Sequence, residues 1–396
     1  MKTRLPEKLL AALLAAMAAG TAQAGYDTVG ALDTVPAGET HTLTPGVVSE
    51  SASSPNAMAG EGVLQIASTG TMKAPLYVHA GQRLLWRDPL ADAVQAANWG
   101  VFRSSQAFTN MLHSNRPNAV RLDTPIGIVQ DGKNAWYIMP SGDSYAWASG
   151  YGQFARQSSS GHFGGADYSI YGAAMGLEHH FFGGSTIGLA FGYDWGRVSP
   201  FRFARVDQQS MHAALYGRLG LWNVTQNGTL AFDWSAIVGN TSSDFPMRGS
   251  DLSQDNLQLD FRALYNHRVT AHTWVSAFAG VQYYAQNDDS NARVHADSLQ
   301  NMRLIVGMGV QHRLSERTRL FGEMSFYHDA MRHNPHVRLD GFEYGSGANP
   351  GRIGGNVMVG GEYAFSDSWS MRAGYSFDVA KDSIEHNVNL GATYKF

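Results

Sequence analysis

The sequence predicts an all-β protein, a 12-stranded antiparallel transmembrane β-barrel preceded by one long α-helix. Three observations support this prediction. Apolar and polar residues alternate with few interruptions from Tyr145 to Phe396, as strands between two different environments do. The N-terminus has the features of an export signal, and no later stretch is apolar over the length of a spanning helix. An exported chain with many amphipathic strands fits a bacterial outer membrane.

The composition excludes several classes of protein. The chain has no cysteine, which excludes disulfides, thiolate metal sites, a cysteine nucleophile and a lipoprotein anchor. The formal net charge of -4 argues against a nucleic-acid-binding protein. The sequence has neither a Gly-x-Ser-x-Gly elbow nor a Gly-Lys-Ser/Thr phosphate loop. We therefore predict no enzyme activity, no catalytic residue, no metal site and no cofactor.

The first 24 residues read as a secretory signal peptide. Basic residues at Lys2, Arg4 and Lys8 precede the apolar run Leu9–Gly20, which is too short to span a bilayer. Ala22 and Ala24 then form an Ala-x-Ala site, so we expect cleavage after Ala24.

Residues 25–85 are rich in Thr, Ser, Gly and Ala, with few large apolar side chains. The stretch Gly62–Met72 could form one or two short strands. A segment of this composition cannot bury a sizeable core by itself. Short strands and a disordered linker are therefore equally good interpretations of it.

The predicted helix begins at Asp88-Pro89, since Asp is a good N-cap and Pro suits the first helical position. Apolar residues recur at helical spacing as far as His113, and Pro117 ends the pattern. About 26 residues at 1.5 Å each give roughly 39 Å, which matches the height of a membrane barrel wall. Residues 114–143 read as a linker, with one short strand near Ala135–Met139.

Twelve strands are predicted, an even number as a closed bacterial barrel requires. In the segment from Ile187 to Trp195, large apolar residues alternate with Gly, Ala and Asp. The polar face is mostly Gly, Ser, Asn and isolated charges, which suits a lumen wall better than the outside of a soluble sandwich. The predicted bounds are 145–157, 166–180, 185–198, 206–222, 228–241, 254–268, 273–287, 298–313, 318–331, 353–365, 369–379 and 385–396.

Loop lengths also alternate along the predicted barrel. The connections at 183–184, 223–227, 269–272, 315–317 and 366–368 are tight, whereas 158–165, 199–205, 242–253, 288–297 and 332–352 are longer. Short periplasmic turns and long outer loops are typical of membrane barrels. Aromatic residues near the tight turns predict an interfacial girdle: Phe181, Phe182, Trp222, Trp274, Phe365, Trp369 and Phe396.

The last strand carries a specific resemblance. Val388, Leu390, Ala392, Tyr394 and Phe396 occupy alternate positions, as in the C-terminal signature of outer-membrane proteins that the barrel-assembly machinery reads. The stretch Trp147-Ala-Ser-Gly-Tyr-Gly-Gln-Phe154 is similar to the first strand of an autotransporter β-domain. With an export signal, one long helix and twelve strands, the chain resembles a type V autotransporter of Gram-negative bacteria.

The resemblance implies a helix threaded through the lumen, and a 12-stranded barrel is wide enough for about one helix. It divides the chain into a signal peptide (1–24), a short passenger, β-helix remnant or linker (25–85), the lumen helix with its linker (86–143) and the β-barrel (144–396). Ten charged residues are predicted to line the lumen, where they could hydrogen-bond the helix: Glu178, Asp194, Arg218, Asp233, Asp260, Arg262, Arg303, Glu323, Glu362 and Arg372.

The implied function is that of an outer-membrane translocator that displays its N-terminal passenger at the cell surface. The implied partners are outer-membrane lipid and lipopolysaccharide, the barrel-assembly machinery, the Sec translocon and periplasmic chaperones, with no nucleic acid. The chain departs from the family in its short passenger and in having no Asn-Asn pair in the helix, where self-cleaving members cut. Two alternatives stay open: a porin-like channel plugged by the helix, and an enzyme of the barrel-rim type.

Overall fold

The structure is a computed structural model that describes two compact units, Met1–Leu84 and Leu85–Phe396. The predicted signal peptide, with Ala22 and Ala24, lies outside the described residues. Those residues are 40–43, 62–65, 76–79, 83–86, 89–115, 127–131, 134–138 and 143–396, with gaps at 160–163, 182–184, 202, 226–227, 247–250, 288, 291–293, 297, 335, 340–341 and 345–349.

Short hairpin-like sheets precede the helix. Strand β1 (Thr40–Leu43) pairs antiparallel with β2 (Gly62–Gln65). Strands β3 (Leu76–His79) and β4 (Arg83–Trp86) form a second two-stranded sheet. Of the stretch 62–72, where one or two short strands were expected, the structure describes residues 62–65, and these form β2.

Helix α1 spans Pro89–Asn115 and so begins at the proline that the sequence places in its first turn. Its 27 residues correspond to about 40 Å. The linker after it contains an antiparallel hairpin of β5 (Gly127–Asp131) and β6 (Asn134–Ile138). Only the second of these strands was predicted, because the apolar residues of β5 do not alternate.

Twelve strands close into one barrel in which each strand pairs with its neighbours in chain order. The last strand pairs antiparallel with the first, which leaves no open edge in the described wall. The strands are β7 (Ser144–Gln157), β8 (Ala166–His180), β9 (Thr186–Pro200), β10 (Val206–Thr225), β11 (Gly228–Asp244), β12 (Leu252–Arg268), β13 (Thr273–Gln286), β16 (Gln300–Arg313), β17 (Thr318–His333), β20 (Ile353–Ala364), β21 (Trp369–Ala380) and β22 (Ser383–Lys395).

These bounds agree with the predicted ones to within three residues. The largest differences are extensions, such as β11 continuing to Asp244. Backbone pairing continues past the apolar pattern there, with Asp244 opposite Asp207. The ladder depends on the backbone and can outlast the side-chain pattern by which a strand is recognised.

Two long connections contain strands that the sequence did not predict. Strands β14 (Asp289–Ser290), β15 (Val294–Ala296), β18 (Val337–Leu339) and β19 (Phe342–Tyr344) form a four-stranded sheet at one end of the barrel. We call it the loop sheet. The expectation that these stretches are plain loops is wrong. The strands were not predicted because two or three residues are too few to show a period.

The two faces of the wall differ as the alternation predicts. Phe191 and Trp195 point outward and are each 55% exposed, whereas Asp194 between them is fully buried. Ile305, an apolar residue at an inward position of β16, packs with Phe278 and Tyr327 inside the barrel. Among the described residues, no helix has both the length and the apolar character needed to cross a membrane.

The aromatic girdle needs one correction. Phe181, Phe365, Trp369 and Phe396 are about half exposed at the tight-turn end, as expected for an interfacial position. Trp274 is instead 8% exposed and lines a cavity inside the barrel. The side chains of Phe182 and Trp222 lie outside the described residues.

The helix inside the barrel as the candidate functional site

Helix α1 lies in the lumen and is covered on all sides. Every described residue from Leu90 to Ser114 is buried except the partly covered Asn110 and His113. The helix packs against β7 to β12 and β22, and Gln106 reaches Gln282 on β13. A helix with Gln, Asn and Ser on several faces has no dry side to turn toward lipid, so a polar lumen suits it.

The N-terminal half of the helix packs at the long-loop end of the barrel. Leu90, Val94, Trp99 and Phe102 belong to one apolar cluster with residues from the strand ends and the loop sheet. The barrel wall contributes Ala155, Tyr168, Val198, Leu252 and Tyr284 to this cluster, and the loop sheet contributes Val294, Ala296, Val337 and Leu339. The sheet thus covers the helix at this end.

The C-terminal half packs against the other part of the wall. Phe108, Met111 and Leu112 form a second cluster with residues that include Trp147 and Tyr216. His113 lies near the tight-turn end, beside a cavity. The helix therefore runs from the long-loop end to the tight-turn end, where the first barrel strand begins.

Two glycines allow the close approach of helix and wall. A Cβ on Gly100 would lie 2.2 Å from Oε1 of Gln208, whose Nε2 donates to the carbonyl of Ala97 at 2.9 Å. A Cβ on Gly192 of the wall would lie 2.4 Å from the ring of Phe108. A side chain at either position would clash with the opposite element. Glycine therefore allows the helix and the wall to approach closely at both positions.

A buried polar cluster holds the middle of the helix. Ser104 Oγ lies 2.8 Å and 3.0 Å from the carboxylate oxygens of Asp194 and 2.9 Å from His212 Nε2. The same His212 nitrogen is 2.9 Å from Asp194, and Tyr151 donates to Asp194 at 3.1 Å. Phe108 stacks on the His212 ring at 4.9 Å.

These residue types match a catalytic triad, but their arrangement does not. In a triad the acid contacts Nδ1 and the serine contacts Nε2 of the histidine. Here both groups meet Nε2, and the cluster is shielded from solvent. The geometry thus positions the helix and does not prepare Ser104 as a nucleophile.

Side-chain amides provide the next layer of contacts. Gln258 accepts hydrogen bonds from Ser105 at 2.9 Å and Gln106 at 3.0 Å, and donates to Thr109 at 2.7 Å. Gln254 donates to Asn98 at 2.8 Å. These amide residues are not among the predicted lumen residues, because that prediction rests on charged side chains alone. Their signal is the two-residue spacing of amide-bearing positions along β12, namely Gln254, Asn256 and Gln258.

The ten predicted lumen residues are divided between the helix contact and the wall. Asp194 and Arg303 contact the helix directly, the latter with its guanidinium 5.9 Å from the Phe102 ring. Asp260 accepts hydrogen bonds from Gln258 and Gln282. Glu178 pairs with His180 at 2.6 Å.

The other six line one cavity of about 120 Å³ beside His113. Arg218 pairs with Asp233 through two hydrogen bonds of 2.6 Å and 2.9 Å, and Arg262 lies 3.6 Å from Glu323. Glu362 and Arg372 complete the six. A second cavity of about 80 Å³ borders the helix at Gln106 and Asn110. The helix thus packs tightly on one side of the lumen and leaves polar space for water on the other.

Replacing Gly192 by Leu should displace the helix, since the new side chain would occupy the position of the Phe108 ring. Overpacking of this kind costs about 1–3 kcal/mol, so we expect a lower unfolding temperature in a heat-modifiability gel assay. Adding Phe108→Ala should restore much of the loss. Gly150→Leu is the control, because its Cβ would have no neighbour nearer than 3.9 Å. Equal effects of both glycine substitutions would show that Gly192 does not seat the helix.

The closed barrel, the apolar outer face and the helix in a polar lumen define an outer-membrane β-barrel with an internal helix. The model of the family described as "Autotransporter beta-domain" matches residues 146–376, which is more than half of the chain. The chain therefore belongs to the autotransporter β-domain family. It is an outer-membrane translocator for passenger secretion, and the fold and localisation predicted from the sequence are confirmed.

One solved structure agrees with this fold. The chain is similar to the translocator domain of the autotransporter NalP from Neisseria meningitidis, with a TM-score of 0.51, 14% identity, and coverage of 77% of this chain and 98% of that one. It is also similar to the transport unit of AIDA-I from Escherichia coli, with a TM-score of 0.49, 12% identity, and coverage of 76% and 99%.

Among curated proteins, an "Extracellular serine protease" of Serratia marcescens is 20% identical over 291 residues. The match covers 67% of this chain and only 27% of that protein. The chain thus spans about a quarter of the length of this relative.

Proposed function

We propose that this translocator exports and displays the segment 25–85, and that α1 tethers the segment through the lumen. The supporting observation is the direction of α1, which has its N-terminal half at the long-loop end and its C-terminal half near the start of β7. If the tight turns face the periplasm, the chain before Pro89 is expected outside the cell and residues 116–143 in the periplasm.

The remaining assignments follow from this proposal. Residues 1–24 act as the signal peptide read by the Sec translocon, and periplasmic chaperones carry the chain to the outer membrane. The barrel-assembly machinery reads Val388, Leu390, Ala392, Tyr394 and Phe396, of which all but Ala392 are at least 38% exposed on the outer face. Outer-membrane lipid and lipopolysaccharide surround the folded barrel.

A porin-like channel is the second candidate, and the two cavities beside α1 favour it. Arg218, Arg262 and Glu323 line polar space beside His113, near the C-terminal end of the helix. Under this alternative, α1 would gate solute flow and residues 25–85 would be a tether without an exported role.

We infer that the chain itself is not an enzyme. The Serratia relative is a protease by its printed name, and most of its length has no counterpart here. The arrangement of Ser104, His212 and Asp194 favours holding the helix over catalysis, since one histidine nitrogen faces both partners.

Surface labelling of single cysteines tests the proposal in a chain that has none of its own. Ser51→Cys should react with an impermeant maleimide on intact cells. Ala204→Cys, exposed at the long-loop end, should react as well, whereas Ala271→Cys, exposed in a tight turn, should react only after permeabilisation. If Ala204→Cys labels and Ser51→Cys does not, export of the segment is ruled out. If both alanine positions label alike, the assumed topology is wrong.

A further inference from the structure

The contact between the first and last strands, β7 and β22, is where the barrel closes, and we call it the closing seam. Residues Ser383 and Glu385 of β22 lie opposite Gln157 and Ala155 of β7. Near the same point, Ser158 N donates to the carbonyl of Asp382 at 2.9 Å. This is the long-loop end of the seam.

Arg103 of α1 reaches this seam with both terminal nitrogens of its guanidinium group. It forms an ion pair with Glu385 and donates to Ser383 Oγ at 2.9 Å. Its guanidinium also lies over the ring of Tyr168 on β8, 4.5 Å from the centroid. The Arg103 side chain is 2% exposed, so its charge depends on these partners.

Glu385 connects Arg103 to both strands of the seam. Its second carboxylate oxygen accepts a hydrogen bond from Gln153 Nε2 of β7 at 2.9 Å. One helix residue thus holds a carboxylate of the last strand in a position where the first strand can bind it.

At this point of the wall two carboxylates lie opposite each other, and the helix supplies a positive charge beside them. Asp378 of β21 stands directly opposite Glu385 of β22, and both line the same cavity. Like charges directly opposite on paired strands are destabilising. Tyr327 donates to Asp378 at 2.9 Å, and the nearby Arg303 is bonded to Asp329 at 2.7 Å. The cation that pairs with Glu385 comes from the helix.

We propose that Arg103 couples the entry of α1 into the lumen to closure of the barrel, because it supplies the charge that lets Glu385 sit at the closing seam. Arg103 is a positioning residue in this role. Without the helix, the seam end carries two opposed carboxylates and should pair slowly; with the helix in place, it closes.

Two cysteine pairs measure seam closure during refolding into detergent micelles. The seam pair is Arg156→Cys with Ile384→Cys, which face outward and lie directly opposite. The reference pair is Val238→Cys with Leu257→Cys, also outward and opposite, between β11 and β12. Directly opposite residues are close enough for a disulfide.

Arg103→Gln should slow formation of the seam disulfide about tenfold or more, as expected for a buried carboxylate that loses its cation. The reference disulfide should form at its usual rate. Adding Glu385→Gln should restore fast seam closure, since the opposed charge is then gone. Deleting residues 25–115 should slow the seam in the same way, again with rescue by Glu385→Gln.

Arg218→Gln is the matched control, because Arg218 pairs with Asp233 between β10 and β11, away from the seam. It should lower the unfolding temperature without slowing the seam disulfide. If Arg103→Gln leaves the seam rate unchanged, or if Glu385→Gln gives no rescue, Arg103 only fills space and the coupling is overturned.

Discussion

Removal of residues 25–115 behind the signal peptide should give a barrel that still inserts but conducts ions strongly in planar bilayers. The helix fills most of the lumen, and removing it leaves the inward polar residues of β7 to β12 facing water. A 12-stranded barrel emptied in this way has an interior wider than the eight-stranded barrels that side chains can fill. The intact protein should show only small, rare openings, through the cavities that remain beside α1.

The control deletes residues 25–85 alone and keeps the helix. This variant should conduct as little as the intact protein, which would place the block in α1 and not in the preceding segment. If the helix-free barrel and the intact protein conduct equally, α1 does not close the lumen. If the intact protein conducts well and selects among solutes, the porin-like alternative is correct.

Loss of Phe396 should greatly reduce the amount of folded barrel in cells. On the outer face, Tyr394 packs against Trp369 at 4.9 Å and against Phe396 at 6.3 Å. The backbone of Phe396 also exchanges hydrogen bonds with Ser144 of β7, of 3.0 Å and 3.4 Å. Deleting the residue removes both the aromatic ring and the hydrogen bonds at one end of the closing seam. The amount of folded barrel is measured by its heat-modifiable mobility on gels.

Phe396→Ala separates these two contributions because it keeps the backbone bonds. If the assembly machinery reads the aromatic ring, the alanine variant should fold poorly in cells but refold normally from urea into detergent micelles. Phe365→Ala is the control, since Phe365 is an exposed aromatic of the same girdle outside the last strand. Unchanged folding of Phe396→Ala in cells would count against recognition of this ring.

The sequence alone determined the barrel, because a membrane wall places every residue in one of two environments. Alternation such as that of Phe191, Asp194 and Trp195 therefore shows in the sequence as a period of two. The ends of α1 could also be predicted from the sequence, because Pro89 and Pro117 restrict the backbone locally. The position of the helix in the lumen could be predicted as well, from the length of the helix, the number of strands and the family resemblance.

The tertiary structure decided which inward residues meet the helix. A strand pattern says that Asp194, Gln258 and Arg372 face inward, but every inward position has the same period. The helix contacts one part of the wall closely and leaves cavities at another, so Ser104 donates a hydrogen bond to Asp194 while Arg372 lines a polar cavity. That asymmetry depends on where α1 lies across the lumen, which no local pattern encodes.

The loop sheet and the pairing of Arg103 with Glu385 show the same limit. Residues 294–296 and 337–339 pair across more than forty residues of chain, and Arg103 meets a partner 282 positions away. The sequence determined which segments form strands and helix because backbone propensity and side-chain environment act over a few residues. Contacts between distant segments depend on the closed barrel, and only its geometry brings those side chains together.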